Sequence, residues 1–159
     1  PRILAFLRPA RLMRECGEIP MDATQIMTIL KNSAVFGHLE DSMLDTLVFL
    51  GYPKSLAAGE AIYHKGEPSN ERFGIVLSGR IQALKKDDAF FKELGVGEVI
   101  GEIALSEPHH KRTMTLQAVV DAEVLEWDVN HVKQQIPGVW KKLLKLAWEH
   151  LAEYSEDIE

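Results

Sequence analysis

A single cysteine, Cys16, occurs in 159 residues, so no intrachain disulfide can form and neither a CxxC pair nor a cysteine–histidine zinc pattern can be built. The expected compartment is reducing. No apolar run approaches the roughly 20 residues that a membrane-spanning helix needs, and the N-terminus lacks the uninterrupted apolar stretch of a signal peptide. A cytoplasmic location without a membrane span is therefore expected. Dense lysine and arginine tracts are also missing: 18 basic residues stand against 24 acidic ones, giving a net charge of −6. Nucleic-acid binding, which relies on clustered positive charge to displace counterions, is not expected of this chain. Ser78 and Ser106 lack nucleophile-elbow glycines, no Gly-Lys-Ser/Thr phosphate loop is present, and the carboxylates show no diagnostic pairing. No enzyme activity or resident cofactor is expected. Adjacent residues on an extended segment alternate faces, so the neighbours His109 and His110 are not expected to form a metal site.

The glycines that are present have a pattern. Between Tyr52 and Asp128, Gly59, Gly66, Gly79, Gly95, Gly97 and Gly101 separate short apolar segments such as Ala61–His64, Phe73–Leu77, Arg80–Lys85, Phe90–Leu94 and Val124–Trp127. This spacing predicts a mainly β fold, a small antiparallel barrel or sandwich, rather than a parallel sheet with helical crossovers. Helices flank it. Before the β region, Ile3, Phe6, Leu7, Ala10 and Met13 share one face and Arg8, Arg11 and Arg14 another; Asp22 is placed to cap a helix reaching Lys31, and Asp41–Leu50 has helical spacing up to Gly51. After it come a short helix near Val129–Gln134, a break at Pro137-Gly138, and a helix from Val139 to Tyr154. On that last helix the apolar residues, with His150 among them, sweep an arc of about 200°. One core contact needs less, so part of this face, Trp148 included, either edges a deep core or meets a ligand, a second copy or a neighbouring domain.

The longest interruption of the strand rhythm runs from Ile100 to Ala118: Ile-Gly-Glu-Ile-Ala-Leu, a short turn, then Arg112-Thr113-Met114-Thr115. Gly101 lets the backbone approach a ligand closely, and backbone N–H groups at the start of the next turn favour an anion. Arg112 supplies a planar, permanently charged fork suited to phosphate oxygens. Glu102 is repelled by phosphate and suits a sugar hydroxyl. The alternative for Glu102 and Arg112 is a mutual or surface ion pair with no ligand. Thr113 and Thr115 are equally at home as plain strand residues.

Two motifs resemble the cyclic nucleotide-binding domain family. The first is Ala58-Gly59-Glu60-Ala61-Ile62-Tyr63-His64-Lys65-Gly66-Glu67, followed by Phe73-Gly74-Ile75-Val76-Leu77-Ser78-Gly79, which looks like the family's early barrel strands and glycine turns. The second, Ile100-Gly101-Glu102-Ile103-Ala104-Leu105 and then Arg112-Thr113-Met114-Thr115, looks like its phosphate-binding cassette. The resemblance implies an antiparallel jelly roll, or double-stranded β-helix, with N-terminal helices and a C-terminal lid helix. It implies a helical extension over residues 1–34 and the nucleotide-binding-like domain over 35–155. It also implies that Glu102 binds the ribose, that Arg112 pairs with the cyclic phosphate, that Thr113 supports phosphate or base, and that the last helix covers the base of cyclic AMP or cyclic GMP. Three residues depart from the family pattern: Met114 stands where alanine is usual, Gly74 interrupts an apolar strand, and Ser69 replaces a small apolar residue. The function this implies is a regulatory sensor signalling through its helices to a homodimer partner or an attached effector domain; the rival reading is a ligand-free fold used for dimerisation or interaction.

Overall fold

The computed structural model describes residues 21–105 and 111–157. The expected N-terminal helices with their Arg8, Arg11 and Arg14 stripe, Cys16, and the pair His109 and His110 lie outside these residues. Helix α1 (Ala23–Lys31) starts where expected, because Asp22 and Gln25 form a reciprocal capping box: each side chain accepts the other's backbone N–H at 2.9 Å. Helix α2 (Asp41–Leu50) ends at Gly51. Eight strands follow: β1 (Tyr52–Leu56), β2 (Ala61–Tyr63), β3 (Arg72–Ser78), β4 (Ile81–Leu84), β5 (Phe90–Leu94), β6 (Val99–Ile100), β7 (Thr115–Ala118) and β8 (Ala122–Asp128). They form two antiparallel four-stranded sheets, ordered β1-β8-β3-β6 and β2-β7-β4-β5, which close on each other as the expected jelly roll.

The chain returns to helix at α3 (Val129–Gln135), capped by the Asp128 side chain on the Asn130 N–H at 2.8 Å. Helix α4 (Pro137–Asp157) completes the fold. The expected break at Pro137-Gly138 falls one residue earlier, at Ile136, whose φ of −139° and ψ of 72° are non-helical. Proline disfavours helical geometry in the residue before it, yet its own fixed φ suits the first position of a helix, so Pro137 begins α4 rather than separating two helices. No helix among the described residues is long and apolar enough to cross a membrane.

Two apolar cores meet at the first sheet. Strands β3 and β8 bury both faces: Phe73, Ile75, Leu77, Leu125 and Trp127 point to the helices, while Val76 and Val124 point into the barrel. Double-sided burial explains why Phe73–Leu77 reads as a nearly continuous apolar run instead of an alternation. Gly74 has its reason here as well. A Cβ on it would lie 2.8 Å from the Leu125 carbonyl oxygen and 3.0 Å from a Val124 methyl, so β8 passes too close for any side chain.

The helix-side core draws on residues either side of position 35, with Ile26, Leu30, Phe36, Leu44, Leu47, Trp127, Val139 and Leu143 all fully buried. Trp127 is its centre. Its ring lies 5.3 Å from both Phe36 and Phe73, and its indole N–H donates to the Leu47 carbonyl at 2.8 Å, tying α2 to the sheet. Trp127→Ala is expected to destabilise the chain by about 3–5 kcal/mol, through the cavity and the orphaned carbonyl, as measured by denaturant unfolding.

Candidate functional site

Strand β6 ends at Gly101, whose φ of +80° only glycine adopts without strain. A Cβ there would also stand 2.7 Å from the Tyr63 ring and 2.8 Å from Arg112 Nη1. The chain then makes a 3₁₀ turn over Ile103–Leu105 and returns through Arg112 into β7. This places Ile100, Gly101, Glu102, Ile103, Ala104, Arg112, Thr113 and Met114 on the wall of one cavity inside the barrel. Leu105 closes the 3₁₀ turn. Thr115 stands on the other face of β7, where its hydroxyl accepts the Lys65 N–H at 3.0 Å. Met114 is buried in the barrel core beside Leu116 and Ile100, where its unbranched side chain fills space.

Arg112 is only 5% exposed, and backbone carbonyls and an aromatic face surround its guanidinium. Nη1 donates to the Gly101 carbonyl at 3.1 Å, and Nη2 donates to the carbonyls of Ser69 at 2.9 Å and Arg72 at 2.8 Å. The guanidinium carbon lies 3.5 Å from the centre of the Tyr63 ring, a close cation–π stack. Burial lowers the pKa of Arg112, and Tyr63, Glu126 and Glu102 oppose that shift. Among the described residues, carbonyl oxygens take three of its five N–H donors.

The carbonyls that hold Arg112 come from a constrained turn. Asn70 and Glu71 both have positive φ, 55° and 57°, and the Ser69 hydroxyl accepts the Glu71 N–H at 3.1 Å. Ser69 thus replaces an apolar residue because its hydroxyl shapes the turn that holds the arginine. Glu71 extends the connection: its carbonyl accepts the Val129 N–H at 2.8 Å, and its carboxylate accepts the Asn130 side-chain amide, both at the start of α3.

Behind Arg112, the Tyr63 hydroxyl donates to Glu126 at 2.6 Å. Burial raises the Tyr63 pKa well above its ordinary value, and the Glu126 charge raises it further, so Tyr63 remains a neutral donor. Glu126 is itself buried, with Arg72 at 3.5 Å and Lys54 at 3.6 Å.

Glu102, 4% exposed, has its side-chain partner on the last helix. Its Oε2 meets Nδ1 of His150, on α4. Lys92 on β5 joins Glu153 on α4 at 3.1 Å, and Leu151 packs on the barrel core. With α4 seated there, the cavity holds only about 40 Å³, against roughly 300–1,000 Å³ for ordinary small-molecule sites. The helix buries a narrower stripe than its composition implied: Val139, Leu143 and Ala147 are buried, whereas Trp148 is 57% exposed and does not edge the core.

Sequence reasoning noted Ser69 only as a departure from the family pattern and did not single out Tyr63, Arg72 or His150. The last carried a signal, as a titratable residue within an otherwise apolar arc. Removing only the Tyr63 hydroxyl tests the buried network. Tyr63→Phe keeps the ring under Arg112 but strips Glu126 of a donor, and a loss of about 1–3 kcal/mol in unfolding free energy is expected.

The family model for the cyclic nucleotide-binding domain matches residues 53–137, more than half of the chain. Among curated proteins, the mouse "Patatin-like phospholipase domain-containing protein 7" is 30% identical over 131 residues, covering 78% of this chain and 9% of that protein. The chain therefore spans about a tenth of that relative. Among solved structures, the regulatory subunit of a cAMP-independent protein kinase A from Trypanosoma brucei superimposes with a TM-score of 0.73 at 18% identity, covering 86% of this chain and 50% of the other. The regulatory domain of Toxoplasma gondii protein kinase A, crystallised with cAMP, gives a TM-score of 0.64 at 24% identity, covering 71% and 44%. These likenesses share the jelly roll and its flanking helices, and together with the match across the barrel and cassette they establish that the chain belongs to the cyclic nucleotide-binding domain family.

Proposed function

We propose that the chain is a cytoplasmic sensor module that takes cyclic AMP or cyclic GMP into the barrel and reports occupancy through α3 and α4. The observation that carries this reading is the convergence of two buried, oppositely charged side chains, Glu102 and Arg112, on one cavity. A cyclic phosphate would take the uncommitted N–H groups of Arg112 and backbone N–H groups of the cassette, Glu102 would accept a ribose hydroxyl, and Thr113 would lie beside the phosphate. Because the cavity is so small with α4 in place, entry of a nucleotide requires that helix to move. A ligand shifts such an equilibrium only by its differential affinity for the two arrangements. A route for the readout is available, since the turn that grips Arg112 is hydrogen-bonded to the first residues of α3.

The regulated activity would lie in other parts of a longer protein. A phospholipase domain, carried in the name of the mouse relative, is one class of effector that such a module could serve. A second reading has its own support: Arg112 is well satisfied by carbonyls, and Trp148 is exposed as an anchor for a partner or second copy. In that reading the domain is a vacant interaction module.

Calorimetric titration with cyclic AMP and cyclic GMP separates the two. Arg112→Lys keeps a cation for the surrounding carbonyls but loses the planar fork, and it is expected to weaken binding by about tenfold or more while leaving the circular dichroism spectrum unchanged. Equal affinity in the variant and the wild type would remove Arg112 from the site. No thermal stabilisation by either nucleotide, together with a stable dimer in solution, would favour the vacant module.

A further inference from the structure

Helix α4 meets the barrel through a contact that the nucleotide reading does not use. His150 reaches from α4 into the barrel, 27% exposed on its side chain, and its Nδ1 engages Oε2 of Glu102, the group that a ribose would need. We propose that His150 is a proton-dependent latch, closing the pocket by occupying Glu102 in competition with the sugar hydroxyl of a cyclic nucleotide. The proposal rests on the reading of this cavity as the nucleotide site.

Geometry supports competition rather than assistance. Glu102 is buried, so its charge needs a donor, and His150 is the donor that it has when α4 is down. The same residues that close the helix line the cavity that a ligand must fill, among them Lys92, Glu153 and His150. A nucleotide that pushes α4 aside supplies its own hydroxyl to Glu102, while His150 passes to solvent and loses its partner.

The charges around the imidazole favour the closed, protonated form. Glu102 faces it from the cassette, Glu153 lies one turn further along α4, and Glu98 lines the neighbouring cavity that His150 also borders. Lys92, on β5, opposes them, and Arg112 lies on the same cavity wall as Glu102. Glu149, on α4, is exposed. Asn32 and Ser33, before α2, are polar but do not titrate in this range. The hydrogen bond to Glu102 raises the His150 pKa, burial opposes it, and Glu102's charge adds to the rise.

The sign follows from linkage. A group whose pKa is raised in the closed form stabilises that form fully below its ordinary pKa and loses the contribution as pH rises through the raised value. Nucleotide binding should therefore release a proton from His150 and strengthen as pH increases across that window.

Two measurements on the 159-residue chain test the latch. In calorimetric titrations with cyclic AMP and cyclic GMP at about pH 6 and about pH 8, where neither ligand changes charge, wild-type affinity should rise about tenfold with pH, the worth of one charge-assisted hydrogen bond. His150→Ala should bind at the lower pH as tightly as wild type does at the higher one, with the pH dependence gone. Weaker binding by His150→Ala, or a pH-independent wild type, would overturn the competition while leaving the nucleotide reading standing. If neither protein binds either nucleotide at either pH, the nucleotide reading fails and the competition with it. Without ligand, the imidazole proton resonance that disappears in His150→Ala should titrate above the ordinary histidine range and return to it in Glu102→Gln. An ordinary titration in the wild type would overturn the latch itself.

Discussion

A guanidinium buried at the wall of an apolar barrel is the constraint around which the local chain is arranged. Arginine stays charged in proteins, and an unpaired buried charge costs several kcal/mol, so Arg112 requires acceptors on every open side. The irregular features near it answer that need. Gly101 takes a left-handed conformation and omits a side chain so that its carbonyl and the Tyr63 ring can both approach. Asn70 and Glu71 accept positive φ so that the carbonyls of Ser69 and Arg72 converge on one nitrogen. Tyr63 supplies a π face above and a hydroxyl below, and that hydroxyl leads to Glu126, which holds Arg72 and Lys54. One buried cation thus organises two sheets and the approach to α3.

Much of this architecture was legible in the residue pattern, and what was not has a common physical cause. Glycine punctuation identified the strands because left-handed turns are a local requirement. The capping box at Asp22 and the glycine-and-acid opening of the cassette are local for the same reason. Strand edges shifted by a residue or two where pairing with a distant strand decides them: Phe73–Leu77 lengthens to Arg72–Ser78 because β8 offers partners along its whole length. Residues 100–104 and 112–114 of the cassette line one cavity, while Thr115 lies on the other face of β7. Their actual partners did not follow from spacing, since Ser69 lies 43 residues from Arg112 and His150 lies 48 from Glu102. A helical wheel shows which residues share a face of α4, but not which of them will find a buried carboxylate opposite.

Two of the three departures from the family pattern are intelligible through close contacts rather than chemistry. Gly74 sits where β8 leaves no room for a Cβ, and Met114 fills the barrel beneath the cassette. Neither removes a charged group from the cavity wall. The C-terminal helix contributes His150 and Glu153 to the wall of that cavity.

Helix α4 is anchored unequally along its length, and this asymmetry governs how it can move. Its first half places Val139 and Leu143 in the core built around Trp127, where each buried apolar side chain contributes about 1.5–3 kcal/mol. Its second half meets the barrel through the half-buried Leu151, the His150–Glu102 contact and the Lys92–Glu153 pair. The last of these is partly exposed, and such pairs contribute about 0–1 kcal/mol. The segment over the cavity is therefore the more weakly held part of a helix whose root is fixed in a deep core. The fully buried Ala147, and Leu146 packed on the helix-side core, belong with that root, so the weakly held segment begins after Ala147. In the sensor reading, an opening motion would pivot beyond Ala147, and the contact between His150 and Glu102 is among those it would break.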